Sequence, residues 1–255
     1  MSPLFSGVGV ALVTIFDGHG AVDVPATADL AAQLTGRGVA AVLVAGTTGE
    51  APALSPAERS ALIRGVRDAV PADVPVLAGT GAPTGCQAVE LTHGAFDAGA
   101  DAALVLSPPW VADPRPYYDA VAKGSPGERL LAYHFPFASA PGIPVEVLAD
   151  LPVAGIKDSS GDAERLVRTV ETFDGDVYVG SSAVLSMVAG VGAAGAILTL
   201  ANLEPERCIA ALGGDGSAQR ALLDSHLAAG TDFPVRLKEL VAERFGVSGA
   251  VRIGR

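Results

Sequence analysis

The stretch VAGIKDSSGD, Val153 to Asp162, holds a complete structural unit in miniature. Val153 to Lys157 is a short apolar run that reads as a buried strand. A Ser/Gly/Asp turn stops it, and a helical pattern follows from about Asp162 to Phe173. The same unit recurs along the chain. Seven further apolar runs of strand length are Gly7 to Thr14, Val39 to Ala45, Val74 to Gly79, Asp101 to Ser107, Arg129 to His134, Asp176 to Gly180 and Gly195 to Leu200. Helical patterns separate them. One runs from about Pro25 to Arg37. A second opens on the capping box Ser55-Pro56-Ala57-Glu58, and a third is capped by Thr84 and Gln87. Short helices are expected after Pro114, after Pro144 and from about Ala183. Near-continuous Val/Ile/Leu/Ala strands alternating with helices imply a parallel sheet covered on both faces. Eight such repeats predict a closed (β/α)₈ TIM barrel. An open doubly wound sheet is the alternative, but the first strand-to-helix turn, TIFDGHG, lacks its dinucleotide fingerprint. The expected organisation is a single domain over 1–255. The barrel occupies 1–203, and a C-terminal helical region fills 204–255, with helices near Pro205 to Leu212, Ala218 to Ala229 and Pro234 to Phe245. The last two exceed what a barrel needs and are expected outside it or at a subunit contact.

Composition narrows the function. With 49% hydrophobic and 18% charged residues the chain has ample material for a core and is not disordered. Its net charge of −11 and lack of any basic run argue against nucleic acid or an anionic membrane as partner. Cys86 and Cys208 have no motif spacing, so free thiols in a reducing compartment are expected. The four histidines form no ligand-spaced pair, and no metal is expected. Val177 to Leu203 carries no charge, but its glycines and serines read as a helix followed by a buried strand, not as a membrane span. The apolar start GVGVALVTIF has no basic residue before Arg37, so it reads as a strand and not a signal. A cytoplasmic location is the expectation.

Three strand ends carry chemistry. The chain has three lysines: Lys123 in a polar loop, Lys238 in a mixed-charge helical stretch, and Lys157 at the end of a buried strand. Burial disfavours a charged amine, and the neutral amine is the nucleophile that a carbonyl substrate needs for a Schiff base. The ordinary alternative is a lysine that snorkels to water or pairs with Asp158. The second strand ends in GTTGE, Gly46 to Glu50. Its amides and the Thr47 and Thr48 hydroxyls can hold a carboxylate, or else simply satisfy a tight turn. The fifth ends in YHFP, Tyr133 to Pro136. Its tyrosine can relay protons at the barrel mouth, or pack as an ordinary aromatic. In a barrel all three ends meet on the C-terminal face, where active sites lie. A carboxylate cradle, a proton relay and an amine together are the tools for activating a 2-oxo acid, and that joint placement favours the chemical reading. A GxGxxG at Gly190, Gly192 and Gly195 precedes a strand instead of following one, so it reads as close packing and not as a nucleotide site.

These residues resemble the class I pyruvate-dependent aldolases of the dihydrodipicolinate synthase and N-acetylneuraminate lyase superfamily. GTTGE resembles the family's carboxylate-binding motif, Tyr133 and Pro136 its Tyr-x-x-Pro, and GIKDSSGD its Schiff-base lysine segment. GSS at Gly180 to Ser182 and GAAGAILTLAN at Gly192 to Asn202 are similar to the barrel-mouth loops that follow. The resemblance implies Lys157, Tyr133 and Thr47 as catalytic residues and Gly46, Thr48, Gly180, Ser181 and Ile197 as substrate-binding ones. It also implies no metal or organic cofactor, and a homo-oligomer, dimer or tetramer.

Two departures stand out. Ala138 occupies the place of an arginine that grips the aldehyde's carboxylate in dihydrodipicolinate synthases, and Pro109 and Trp110 replace a paired tyrosine after the fourth strand. Trp110, His134 and Ala138 are therefore the candidate specificity positions. On this reading the chain is nearer to keto-deoxy sugar acid or 4-hydroxy-2-oxoglutarate aldolases than to a true dihydrodipicolinate synthase. The main expectation is an aldolase or lyase joining or splitting a 2-oxo acid (pyruvate) and an aldehyde. The alternatives are dihydrodipicolinate synthase, with Arg115 supplying the absent cation, a sugar-acid dehydratase, or a non-catalytic 2-oxo acid-binding homologue.

Overall fold

A computed structural model describes residues 2 to 254. The strands are β1 (Gly7–Ala11), β2 (Ala41–Val44), β3 (Val76–Gly79), β4 (Ala102–Leu106), β5 (Leu130–His134), β6 (Gly155–Asp158), β7 (Asp176–Val179) and β8 (Gly195–Leu198). Each pairs in parallel with the next, and β8 pairs with β1, so the sheet closes into the expected eight-stranded barrel. The barrel helices are α1 (Val24–Thr35), α2 (Pro56–Ala69), α3 (Gly85–Asp97), α4 (Arg115–Gly124), α5 (Ala163–Thr172) and α6 (Val188–Val191). The C-terminal helices are α7 (Pro205–Leu212), α8 (Gly216–Ala221), α9 (Leu223–Gly230) and α10 (Val235–Phe245). The capping box at Ser55 and Glu58 forms with both of its hydrogen bonds, and Thr84 and Asp162 cap α3 and α5.

Period-two alternation divides every strand between two cores. Ala11, Ala41, Leu43, Leu77, Ala102, Leu104, Leu131, Tyr133, Tyr178 and Ile197 fill the barrel interior. Phe5 stacks on Tyr178 at 4.5 Å, and the Tyr178 hydroxyl donates to the Phe5 carbonyl, so the N-terminal segment packs into this interior core. Burial raises the Tyr178 hydroxyl to about 12. The alternate residues, such as Val10, Val42, Val105, Ala132 and Ile156, face the helices.

Several boundaries differ from expectation. β1 stops at Ala11 instead of Thr14: the Leu12 amide still reaches the Leu43 carbonyl, but beyond it Val13 donates to the Asn202 side chain and Ile15 to that of Thr27. β6 continues one residue past Lys157, since Asp158 pairs in register with His134. The segment after Ala183 is mostly a 3-10 turn, Ser182–Met187, kinked at Val184, and Gly192 at φ 82° ends the short α6. The helix after Pro144 is also 3-10, Val145–Asp150. The stretch expected as one helix over Ala218 to Ala229 is two, because Asp215 caps an earlier start and Leu222, at ψ −14°, tightens the chain between them. Among the described residues no helix is long and apolar enough to cross a membrane. The largest correction concerns Lys238. It lies on the inward face of α10 with Leu237 and Val241, 1% exposed, and pairs with Glu50.

Candidate active site

Lys157 and Tyr133 are register partners on adjacent strands, so both side chains point inward at the same height. The lysine Nζ lies 4.5 Å from the centroid of the Tyr133 ring, and the side chain is 3% exposed, which excludes snorkelling. Pairing with Asp158 is excluded by the same alternation. Asp158 faces outward, where its carboxylate accepts from Arg165 Nε at 2.5 Å and from the Ser160 hydroxyl and amide. Among the described residues Lys157 has no ion-pair partner. Space for its side chain is kept by Gly180, where a Cβ would fall 3.0 Å from Lys157 Cε and 1.8 Å from Ser159 Oγ.

Tyr133 stacks on Phe135 at 5.8 Å, and Ser159 Oγ donates to its hydroxyl at 3.5 Å. Tyr133 also lines a cavity of about 630 Å³ together with Ala45, Gly46, Thr47, Leu104 and Ala138. The cavity thus joins the ends of strands two and five, and Lys157 lies against its tyrosine wall. The β2 loop turns on itself: Gly49 and Ala51 amides both donate to the Gly46 carbonyl, and Thr14 Oγ1 donates to the Gly49 carbonyl. Thr48 Oγ1 is 2.8 Å from Thr199 Oγ1, so this loop is tied to the end of β8.

The remaining sequence candidates divide. Ile197 is buried inside the barrel, in the same apolar cluster as Tyr133. Ser181 caps the turn after β7 by accepting from the Ala183 amide. Ala138 lines the cavity. Trp110 does not line it. It is 90% exposed at φ 61°, held by its amide donating to the Ala140 carbonyl. His134 does not reach it either, because it alternates with Tyr133 and so faces outward. Its Nδ1 accepts from the Ile143 amide at 2.8 Å. Burial, and then the nearby Arg165 guanidinium, lower the His134 imidazole from 6.5 to about 4. Arg115 is exposed and held by Asp113 and Asp150.

Sequence reasoning missed three residues that matter. Thr199 lies within the quoted GAAGAILTLAN segment, and Ser159 within GIKDSSGD, but neither was singled out. Arg59 lines the cavity and donates to the carbonyls of Ala51, Leu54 and Gly79. Burial lowers its pKa, and no carboxylate pairs with it among the described residues. Only its place on α2, directly after the capping box, could have pointed to it. Among the described residues, no three His, Cys, Asp or Glu side chains gather where they could hold a metal ion. Both cysteines are free.

The sequence and the fold have relatives. The chain is 38% identical over 236 residues to a 4-hydroxy-tetrahydrodipicolinate synthase of Synechococcus sp. (strain CC9605), covering 87% of this chain and 78% of that one. The enzyme of that name from Pseudomonas aeruginosa is 35% identical over 247 residues, covering 87% and 80%. The structure of a chloride-inhibited dihydrodipicolinate synthase from Acinetobacter baumannii, complexed with pyruvate, superposes with a TM-score of 0.91 at 27% identity, over 98% of this chain and 92% of that one. A prophage protein of the dihydrodipicolinic acid synthase family from E. coli K12, also in complex with pyruvate, gives 0.90 at 26% identity, over 99% and 93%. The model of the dihydrodipicolinate synthetase family matches residues 4 to 226, through every strand and every candidate residue described above. The chain belongs to the dihydrodipicolinate synthetase family and is a carbon–carbon lyase.

Proposed function

We propose that this lyase activates pyruvate as a Schiff base on Lys157 and joins it to, or releases it from, an aldehyde. The observation that carries the reading is a buried lysine without an ionic partner among the described residues, in register with a tyrosine that lines a large cavity joining strands two and five. The pyruvate bound in two structural relatives supports the choice of 2-oxo acid. The Lys157 amine attacks the keto carbon and gives a carbinolamine. Loss of water leaves an iminium, which withdraws electrons from the adjacent methyl. Removal of a methyl proton gives an enamine, whose carbon attacks the aldehyde. Water then releases the product and restores the amine. Thr47 and Thr48, with the amides of their loop, take the pyruvate carboxylate. Tyr133 carries protons to and from the carbinolamine oxygen and the aldehyde oxygen, a role within reach of its place above Lys157. Gly180 gives the lysine room, and Ile197 forms the apolar floor.

Two readings of the aldehyde have separate support. The relatives at 35% and 38% identity carry the name 4-hydroxy-tetrahydrodipicolinate synthase, which favours aspartate semialdehyde. Ala138, in the cavity wall where the resemblance calls for an arginine, favours an aldehyde that needs no cation there, as in aldolases of keto-deoxy sugar acids. A coupled assay decides between them. Pyruvate consumption that depends on aspartate semialdehyde, and vanishes in Lys157→Ala, supports the synthase. Pyruvate release from 2-keto-3-deoxy sugar acids or 4-hydroxy-2-oxoglutarate, with no turnover of aspartate semialdehyde, supports the aldolase. Wild-type turnover in Lys157→Ala overturns both.

A further inference from the structure

The loop assigned to the substrate carboxylate is held from a part of the chain that never touches it. Glu50 ends the GTTGE segment and is 0% exposed. Its carboxylate accepts three hydrogen bonds, each of 2.8 Å, from Lys238 Nζ on α10 and from the backbone amides of Arg252 and Ile253 in the C-terminal tail. All three donors come from residues more than 180 positions away in sequence. The Arg252 side chain extends the tie. It donates to the carbonyls of Gly20 and Ala53 and to the carboxylate of Glu58, so it bridges the β1 loop, the β2 loop and α2. Lys238 and Arg252 both lie over the Phe16 ring, at 4.2 and 4.6 Å, which places two cations around one buried carboxylate.

The segment so held is strained at both ends. Ala45 and Glu50, which bracket Gly46 to Gly49, have φ of 52° and 56°, in the left-handed region that side-chain-bearing residues avoid. Such a conformation persists only where its surroundings over-determine it. Ala45 is fixed by the strand before it. Glu50 has no strand: its amide donates to the Thr47 carbonyl, its carbonyl accepts from the Ala53 amide as the 3-10 turn Ala51–Ala53 begins, and the three-donor tie fixes its side chain. A carboxylate cradle made of backbone amides works only when those amides stay aimed together.

We infer that Glu50, Lys238 and Arg252 are positioning residues that lock the Thr47–Thr48 cradle, so that the C-terminal segment sets the affinity for the 2-oxo acid without contacting it. The inference rests on the assignment of that loop to the substrate carboxylate. It requires two signatures that a merely structural role does not give. Loosening the tie raises KM for pyruvate while kcat is kept, and it speeds amide exchange in Gly46 to Gly49 above that of the barrel strands.

The test uses the full chain with two variants. Arg252→Ala removes the side-chain bonds that fasten the tail to Gly20, Ala53 and Glu58 and leaves the buried pair intact. Glu50→Met with Lys238→Met removes both charges together, so that neither is left buried alone. The expected result is a rise in KM for pyruvate of about tenfold for the double variant and less for Arg252→Ala, with kcat within about twofold. Arg252→Lys, which keeps the cation, recovers part of the affinity. Folded variants with wild-type KM and wild-type exchange at Gly46 to Gly49 overturn the inference, as does a fall in kcat at unchanged KM. If the double variant does not fold, Arg252→Ala alone decides. Hydrogen exchange separates the two levels of the argument. If no 2-oxo acid is turned over but the loop still loosens in Arg252→Ala, the functional reading falls and the mechanical tie stands.

Discussion

Two lysines are buried in this molecule, and they are opposites. Lys157 and Lys238 are 3% and 1% exposed, and the side-chain nitrogen of each lies over an aromatic ring, at 4.5 Å from Tyr133 and 4.2 Å from Phe16. Lys238 is saturated by Glu50 in a closed polar cluster outside the barrel. Burial lowers its pKa, the Glu50 hydrogen bond and charge oppose that, and Arg252 adds a smaller lowering. Lys157 has no carboxylate partner among the described residues and lies beside a cavity. The acid next to it in sequence is turned away and bound to Arg165. Burial alone therefore does not mark a reactive amine. What distinguishes Lys157 is burial without a carboxylate partner among the described residues, against a tyrosine that lines a cavity.

The sharpest way to break this contrast is to exchange the lysines' fates by mutation. Lys157→Ala is expected to abolish turnover in a steady-state assay while keeping wild-type circular dichroism. Lys238→Met should keep measurable turnover at saturating pyruvate. Tyr133→Phe, which leaves the ring over Lys157 but removes the hydroxyl proposed to carry protons, is expected to slow turnover by about 10² to 10⁴-fold. An unchanged rate would remove Tyr133 from the chemistry.

Effects on stability are expected to run the other way. Glu50→Gln leaves Lys238 as a buried unpaired cation and is expected to cost about 3–5 kcal/mol in urea unfolding. Lys157→Ala breaks no ion pair and should cost less than that. A reversed order would mean that Lys157 has a partner after all.

His134, on the outward face of β5, makes a smaller prediction. Its folded value of about 4 lies below the ordinary 6.5, so the unfolded chain takes up a proton first as the pH falls. The stability it contributes is present above pH 6.5 and is lost as the pH falls toward 4. Between pH 7 and 5 the loss is about 2 kcal/mol. His134→Asn, whose side-chain oxygen can still accept from Ile143, should flatten that part of the stability profile.

The barrel was readable because its strands are short, apolar and parallel, and because each is followed by a helix with its own caps. The inward direction of Tyr133 and Lys157 follows from alternation along β5 and β6, a property local to each strand. The same alternation turns His134 outward, so its candidacy as a specificity residue conflicted with that of its neighbour Tyr133. Lys238 was not readable. In RLKELVAERF it flanks the apolar stripe of Leu237 and Val241 and looks like solvated charge. Its burial depends on Glu50, 188 residues earlier in the chain. The placing of Trp110 away from the cavity and of Arg59 in its wall was unreadable for a related reason. The first sits in a loop whose path is set by a hydrogen bond to Ala140, and the second is aimed by carbonyls of three separate residues. Local pattern reveals periodic elements, whereas loops and long-range polar ties emerge only from the closed barrel.

The measurement that bears most directly on the contrast between the lysines is borohydride reduction in the presence of pyruvate, read by intact mass and peptide mapping. The account predicts a single pyruvate-sized adduct on the peptide containing Lys157 and none on the peptide containing Lys238. No adduct on the folded protein, or an adduct on Lys238 or Lys123 in place of Lys157, would contradict it.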